Sequence, residues 1–359
     1  MRRGDSYRAL PHLRWLGVLG SLGERTRQAG LSGNAYVVAD ASVFSLYGDA
    51  VMTSLREAGF GVQSFGVPPG EMSKTLDTVS HIYDWLVDCR AERGDVVVAV
   101  GGGVITDMVG FVAATFLRGL SLVQLATSLI AMTDAAVGGK TAVNHPKAKN
   151  LVGAFYQPRL VLADVQALTT LPERELTSGW AEIIKHGLVL DGELNAFLEK
   201  NAKKLVKLNP EASTEAVRRS VAVKARIVSG DEKEQGRRML LNYGHTIGHG
   251  LEAATNYGRF LHGEAISVGM VGAAMVSEAL GVLPPEVVKQ HRDILKMFGL
   301  PISCSDVDVK AVMKAMELDK KVKGKAVRWV LLEGIGRPVI RQDVLRQVVS
   351  KVLEELLGA

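Results

Sequence analysis

The chain has 359 residues, long enough for two domains, and its hydrophobic and charged fractions of 47% and 23% are typical of globular proteins. The net charge of +5 favours anionic partners, but the basic residues are spread along the chain, so we expect small anions and not nucleic acid. Two cysteines, Cys89 and Cys304, are too few for a disulfide framework and favour a reducing, cytoplasmic location. The longest apolar stretch, 111–132, is interrupted by Arg118 and Gln124, so no membrane span is expected.

Strands and helices alternate in the first half of the chain. Amphipathic segments at 43–59 and 75–92 predict helices. Short apolar runs without polar alternation, such as "DVVVAV" at 95–100, are typical of strands buried on both faces. The pattern predicts a doubly wound, Rossmann-like parallel sheet. Its strands are predicted at 35–40, 61–67, 95–100, 120–126 and 159–164.

Helical spacing dominates after about residue 170. Thr170 is predicted to cap the first of these helices, with Pro172 in its first turn. We therefore predict an α/β domain at 1–170 and a mostly α-helical domain at 171–359, with one short strand pair around 326–340. Further helices are predicted at 193–208, 211–229, 243–256, 263–280, 284–298, 308–317 and 342–357.

Two glycine-rich segments suggest anion binding. In "DVVVAVGGGVITDMVGFVAATF" (95–116), a strand leads through Gly101, Gly102 and Gly103 into a helix, whose first N–H groups suit the pyrophosphate of a dinucleotide. The segment is not the G-x-G-x-x-G fingerprint, so a tight turn without a ligand is the alternative. In "VGGKTAVN", Lys140 follows two glycines, but the spacing differs from that of an ATPase P-loop.

Histidines in the second half of the chain suggest a metal site. In "LNYGHTIGHG" (241–250), His245 and His249 lie on one face if the segment is helical. Spacing nominates these two together with His262 or Glu182, and does not decide among them. Three such ligands with an open fourth position are the pattern of a catalytic zinc. A dinucleotide loop and a metal together predict hydride chemistry on an alcohol.

The chain resembles the 3-dehydroquinate synthase family of sugar phosphate cyclases from about residue 35 to 340. The resemblance implies a dehydroquinate synthase-like fold, bound NAD, a zinc or cobalt ion and a homodimer. It also implies conversion of 3-deoxy-D-arabino-heptulosonate 7-phosphate to 3-dehydroquinate and phosphate, in the shikimate pathway of aromatic amino acid biosynthesis, by transient oxidation, phosphate β-elimination, re-reduction, ring opening and aldol closure. The longest motifs that carry it are "GGGVITD" (101–107), "TSLIAMTDAAVGGKTAVN" (127–144), "TLPERELTSGWAEIIKHG" (170–187), "RRMLLNYGHTIGHGLE" (237–252) and "LHGEAISVGM" (261–270).

The resemblance also implies roles for individual residues. The family's metal ligands match Glu182, His245 and His262, so His249 would act on the substrate instead of binding the metal. The implied catalytic residues are Lys140, Lys185, Glu234, His249, Asn242, Arg238 and Asp134. The implied substrate contacts are Arg118 from the partner subunit, Asn150, Lys224, Lys320 and Lys321. The implied cofactor contacts are Asp40, Glu71, Lys74, Gly101, Gly102, Gly103, Val104, Asp107, Thr127, Ser128, Lys140, Lys149 and Thr170.

Three other functions compete with this interpretation. A related cyclase could make an aminodehydroquinate, deoxy-scyllo-inosose or valiolone-type ring, although Lys224, Asn242 and His249, which several of those enzymes lack, are all retained. A metal-dependent polyol dehydrogenase would accumulate NADH. A non-catalytic metal- or nucleic-acid-binding protein would bind DNA in a salt-dependent manner.

Overall fold

The computed structural model describes residues 17–146, 148–321 and 327–358, with only the backbone of 318–321. The chain forms two compact units, the first ending at Leu171 and the second beginning at Pro172.

A five-stranded parallel sheet forms the centre of the first unit, in the order β2-β1-β3-β4-β7. Every residue of β3 is buried, which explains its unbroken apolar sequence, VVVAVG. The predicted strands and their parallel pairing are confirmed. The strands of this unit are β1 (Asn34–Asp40), β2 (Gly61–Val67), β3 (Val96–Gly101), β4 (Ser121–Ala126), β5 (Lys140–His145), β6 (Ala148–Phe155) and β7 (Leu160–Ala163).

Helices pack on both faces of this sheet. Along β3, Val97 belongs to an apolar cluster that includes Ile82 and Val109, whereas Val98 belongs to a second cluster that includes Leu55. Because successive side chains of a strand point to opposite faces, the two clusters lie on opposite sides of the sheet. The doubly wound architecture is therefore confirmed. The helices of this unit are α1 (Leu22–Gln28), α2 (Ala41–Glu57), α3 (Leu76–Asp88) and α4 (Gly103–Thr115).

The antiparallel hairpin of β5 and β6 was not predicted from the sequence. Gly138 and Gly139, which both have positive φ, precede it. Its second strand lacks a buried apolar face, since Leu151 and Phe155 are both exposed. Without that alternation, a strand resembles a loop in the sequence.

The second unit is mostly helical, as predicted. Strands β8 (Trp329–Gly334) and β9 (Arg337–Arg341) form the expected antiparallel pair. Among the described helices of the chain, none combines the length and apolar character needed to cross a membrane. The helices of this unit are α5 (Glu173–Leu190), α6 (Gly192–Val206), α7 (Pro210–Gly230), α8 (His245–Ala254), α9 (His262–Ala279), α10 (Pro285–Met297), α11 (Val309–Lys321) and α12 (Arg346–Leu357).

The predicted cap at the start of α5 is wrong. The helix begins at Glu173, and Pro172 is its capping residue. Leu171 is extended, with ψ of 135°, because a following proline disfavours the helical region. The Thr170 hydroxyl instead donates to the Ala167 carbonyl and lies 2.6 Å from the Tyr47 hydroxyl.

Glycines allow three helices of the second unit to pack with their backbones in contact. A Cβ atom on Gly263 of α9 would lie 1.8 Å from the Ser178 carbonyl oxygen of α5. A Cβ on Gly269 would lie 2.1 Å from the carbonyl oxygen of Gly244, the residue that caps α8. Real Cβ atoms do not approach a backbone so closely, so only glycine allows these crossings.

We expect Gly269→Ala to lower the free energy of unfolding by about 1–3 kcal/mol, because the added methyl group must push α8 and α9 apart. The matched control is Gly230→Ala at the end of α7, where nothing lies within 4 Å of the new Cβ. It should leave stability unchanged or raise it slightly. Urea unfolding followed by circular dichroism measures both. Equal unfolding free energies for the two variants would contradict the packing argument.

Candidate functional site

A carboxylate and two imidazoles meet in the second unit. Glu182 lies on α5, and His245 and His262 are the first residues of α8 and α9. The Nε2 atoms of His245 and His262 are 3.7 and 3.6 Å from Glu182 Oε1. These distances are long for hydrogen bonds, but a tetrahedral zinc with bonds of about 2.0–2.2 Å places its ligand atoms roughly 3.3–3.6 Å apart. The donor set and its spacing therefore fit a zinc or cobalt ion.

Both histidines have a partner on the ring nitrogen that faces away from Glu182. His245 Nδ1 is 3.1 Å from the Tyr243 carbonyl oxygen, which can only accept, so this nitrogen carries the proton. His262 Nδ1 is 3.5 Å from Glu252 Oε2. Such partners fix the orientation of metal-binding imidazoles and leave Nε2 available for the ion.

Glu252 was missed by the sequence analysis. It lies on α8 and is 5% exposed. Its only sequence signal is its position three residues after His249, which places both on one helix face. Nothing in the sequence indicates that this face meets His262.

Glu182 is a fully buried carboxylate held by cations. Its Oε2 is 2.5 Å from Nζ of Lys185, one helical turn further along α5, and the side-chain exposures are 0% and 2%. Burial opposes ionisation, but Lys185 and the two histidines outweigh it and hold the pKa of the Glu182 carboxyl well below its usual range. A permanently ionised carboxylate is what a metal ligand requires.

The pKa values of the two histidines shift in opposite directions. Burial and the Lys185 cation hold the pKa of His245 well below its usual value, so the ring is neutral. Burial also disfavours protonation of His262, but Glu182 and Glu252 outweigh it and raise the pKa of His262 to about 10. The two carboxylates therefore stabilise a positive charge at the His262 ring. A bound metal cation can supply that charge in place of the proton.

Two predicted cations of the second unit are also buried. Lys224 on α7 is 4% exposed and Arg238 is 2% exposed. A turn held by Asp231 positions the arginine: the Asp231 carboxylate accepts from the backbone N–H of Arg238 at 3.0 Å, and Arg238 Nη1 donates to the Glu232 carbonyl. Burying a cation is costly unless an anion compensates its charge, either a side chain or a bound ligand.

The same turn brings together two other predicted residues. Glu234 has a φ of 55°, and its carboxylate accepts a hydrogen bond of 2.6 Å from the Asn242 side chain.

His249 is exposed, and its ring lies 5.2 Å from the His245 ring and 6.0 Å from the His262 ring. The side chains of Lys320 and Lys321, predicted substrate contacts, lie outside the described residues.

The glycine loop of the first unit has the form of an anion site. Gly101 ends β3, and Gly102 precedes α4 with no side chain capping the helix among the described residues. The first N–H groups of α4 therefore remain available to a ligand. The half-exposed Gly102, Gly103 and Val104 leave the loop accessible. A Cβ on Gly102 would lie 3.2 Å from Ser128 Oγ, and Thr127 N–H donates to the Gly101 carbonyl. The residues that directly follow β4 therefore support the loop from its side.

A polar cluster in the same unit links four more predicted residues. Lys74, 3% exposed, donates to Asp107 at 2.6 Å and to the Asn150 side-chain oxygen at 2.5 Å. Asn144 accepts from the Asn150 N–H and donates to Glu71. Burial raises the pKa of Asp107, and the Lys74 charge only partly offsets it. Predicted cofactor contacts and the predicted substrate contact Asn150 thus form one network.

Other predicted residues of the first unit occupy turns and element ends. Asp40 caps α2, its Oδ1 accepting from the backbone N–H groups of Ser42 and Val43. Lys140 is exposed at the start of β5, and Lys149 is half-buried in β6. Asp134 lies in a π-helical turn, Ala131–Ala135, a local irregularity that is common at functional sites.

Arg118 lies on a strained turn. It is exposed, and the consecutive residues Leu117, Arg118 and Gly119 have φ values of 50°, 67° and 129°. Non-glycine residues rarely adopt positive φ, and two in succession are held only when the surrounding structure requires them.

We expect His262→Ala to lose stoichiometric zinc, because it removes one of three ligands, and His249→Ala to keep it. Zinc per chain is measured by atomic emission after dialysis against zinc-free buffer. Full retention of zinc in His262→Ala would contradict the ligand assignment. Loss of zinc in His249→Ala would instead support the pair spaced four residues apart on α8.

Comparisons with known proteins identify the family of this chain. Residues 64–178 match the family described as 3-dehydroquinate synthase N-terminal, and residues 179–322 match 3-dehydroquinate synthase C-terminal. The 3-dehydroquinate synthase of Crocosphaera subtropica is 45% identical over 341 residues, covering 94% of this chain and 93% of the relative.

Two solved cyclase structures share the fold. The 2-epi-5-epi-valiolone synthase of Streptomyces hygroscopicus with NAD+ and Zn2+ bound has a TM-score of 0.88 and 29% identity, covering 97% of this chain and 98% of its own. A 2-deoxy-scyllo-inosose synthase complexed with carbaglucose-6-phosphate, NAD+ and Co2+ has a TM-score of 0.86 and 27% identity, covering 96% of both chains. The identity and coverage of the curated relatives, together with the two domain matches, establish that this chain belongs to the 3-dehydroquinate synthase family.

Proposed function

We propose that this protein is a 3-dehydroquinate synthase, a lyase that converts 3-deoxy-D-arabino-heptulosonate 7-phosphate to 3-dehydroquinate and phosphate, with NAD and zinc or cobalt as cofactors. The observation that carries the proposal is the cluster of His245 and His262 around the fully buried Glu182, with Lys185 beside it. In this family, oxidation of an alcohol to a ketone acidifies the neighbouring C–H, so that phosphate can leave by β-elimination. A metal held by these residues would polarise the oxygen of that alcohol.

The residues of the two units would hold different groups. Glu182, His245 and His262 would hold the metal, and the glycine loop and the Lys74–Asp107 pair would hold NAD. The chemistry that these groups supply when bound is reversible hydride transfer by NAD and Lewis acidity of the metal. The hydride is returned within each turnover, so the net reaction consumes no NAD.

Buried cations provide the recognition of a doubly charged substrate. The substrate carries a carboxylate and a phosphate, and Lys185, Lys224 and Arg238 are all at most 4% exposed. Charges in a low-dielectric environment attract an anion far more strongly than surface charges do. We assign Lys140, Asn150 and one of Lys320 and Lys321 to the same substrate.

Proton transfer is assigned to Glu234 and His249, which are ionisable members of the predicted catalytic set and are neither metal ligands nor cations. Asn242 fixes the Glu234 carboxylate by its 2.6 Å hydrogen bond. His249 lies beside the metal ligands and is exposed, so it can exchange protons with solvent. Asp134 is assigned a position between the nicotinamide and the substrate.

We further propose that the enzyme is a cytoplasmic homodimer. The described thiols, Cys89 and Cys304, are both free, which fits a reducing compartment. The strained, exposed turn at Arg118 fits a residue that reaches a neighbouring subunit's substrate.

The test is phosphate release from 3-deoxy-D-arabino-heptulosonate 7-phosphate with NAD far below the substrate concentration. We expect many turnovers per NAD, loss of activity on chelation and recovery when zinc is added back. Glu182→Gln should stay inactive after zinc addition, because it removes the anionic ligand. Steady accumulation of NADH would instead indicate a polyol dehydrogenase.

A second candidate is a related cyclase, favoured by the likeness to 2-epi-5-epi-valiolone synthase. The discriminating substrate is a phosphorylated ketose of the same chain length without the carboxylate. Phosphate release from that sugar but not from the heptulosonate would assign the chain to the related cyclase. The aminodehydroquinate alternative is tested in the same way with the amino analogue.

We expect Arg118→Ala homodimers to be inactive and to be rescued in heterodimers with Lys185→Ala. In a mixed dimer, the Arg118→Ala chain keeps its own Lys185 and receives Arg118 from its partner, so one of the two sites is complete. Dual affinity tags isolate the heterodimer, and phosphate release measures its activity. An inactive heterodimer would show that Arg118 does not act across subunits.

A further inference from the structure

His262 is placed between two separate sets of metal-binding atoms. Its Nε2 faces Glu182, whereas its Nδ1 faces Glu252 on the other side of the ring. On that second side, His249, Glu252 and His262 each offer a donor atom, and these atoms all lie within 4.8 Å of one another. His249 and Glu252 are three residues apart on α8, so one helix face supplies two of the three donors.

We propose that His249, Glu252 and Nδ1 of His262 form a second, weaker divalent-cation site, which fills at excess zinc or cobalt and inhibits the enzyme. The site itself is independent of the reaction, but the inhibition rests on the function proposed above.

The donor types select the ion. Two imidazoles and one carboxylate suit zinc and cobalt, whereas magnesium and calcium prefer oxygen ligands alone. Access also favours binding, because His249 is exposed and the His262 side chain is 30% exposed, whereas Glu182 is fully buried. An ion can therefore reach this side from solvent.

The shared ring makes the second site the weaker one. A neutral imidazole has a single lone pair, so binding a second ion requires the proton on Nδ1 of His262 to leave for solvent. Two cations on opposite sides of one ring also repel each other. We therefore expect filling in sequence, with the Glu182 side first.

Occupation of the second site would remove two groups from catalysis. A cation bound to His249 takes the lone pair with which that residue accepts protons. A cation bound to Glu252 competes for the carboxylate that orients His262. Excess metal should therefore lower activity without displacing the first ion.

The test is a titration of metal-free protein with cobalt(II), followed by visible absorbance. We expect breaks at one and at two equivalents per chain in the unaltered protein. His249→Gln should show one break, and Glu252→Gln should also show one, with first-site affinity lowered about 10–100-fold because the partner of His262 is lost. The matched control is His81→Gln, an exposed histidine 4.0 Å from Asp77, which should keep both breaks.

Several results would overturn the second site. They are a single break in the unaltered protein, two breaks in His249→Gln, or loss of the second break in His81→Gln, which would indicate adventitious binding to surface imidazoles. In parallel, phosphate release should rise to a maximum near one zinc per chain and fall at excess zinc. Glu252→Gln should lose that fall.

The two proposals fail in distinguishable ways. Two cobalt breaks without phosphate release under any condition would contradict the proposed function and leave the second site standing. One break with normal turnover at all zinc levels would contradict the second site alone.

Discussion

The buried charge of Glu182 is the constraint on which the arrangement of the second unit depends. A carboxylate with no exposed surface is tolerated only when cations or donors compensate it. Lys185 is supplied by the same helix, but the two histidines come from the starts of two other helices. Those helix starts reach Glu182 only because Gly263 lets α9 touch α5 and Gly269 lets it touch the start of α8. The proposed metal site and the packing of these helices therefore depend on the same glycines.

The two units bind charge by different means. In the second unit, side chains form both the proposed cation site of Glu182, His245 and His262 and a set of buried cations, Lys185, Lys224 and Arg238. In the first unit, the glycine loop offers backbone N–H groups at the start of α4, and none of the described side chains caps them. Backbone donors suit a cofactor that must bind in one position without being protonated or deprotonated. Ionisable side chains suit a substrate that exchanges protons during the reaction.

Backbone strain coincides with the proposed substrate contacts. Among the described non-glycine residues with positive φ are Arg118, Asn150 and Glu234, each assigned to substrate or proton transfer. Such conformations cost free energy and persist where neighbouring structure enforces them. Asn150 is held by Lys74 and Asn144, and Glu234 by Asn242. These hydrogen bonds fix the Asn150 and Glu234 residues in place.

Local chemistry in the sequence was sufficient for the parallel sheet, the helical second half and the glycine loop, because continuous β-branched runs, helical spacing and glycine at a strand-to-helix turn are short-range patterns. It failed at the hairpin of β5 and β6, in which no residue of β6 is fully buried, and at Thr170, where proline displaced the helix start. Spacing alone nominated His245 and His249 together with His262 or Glu182, and only the family resemblance replaced His249 as a ligand. Which atoms actually face each other, including Glu252 with His262 and Lys74 with Asp107, was decided by tertiary packing. The reason is that the members of each pair lie on different elements, and no local periodicity records where two separate helices or loops will touch.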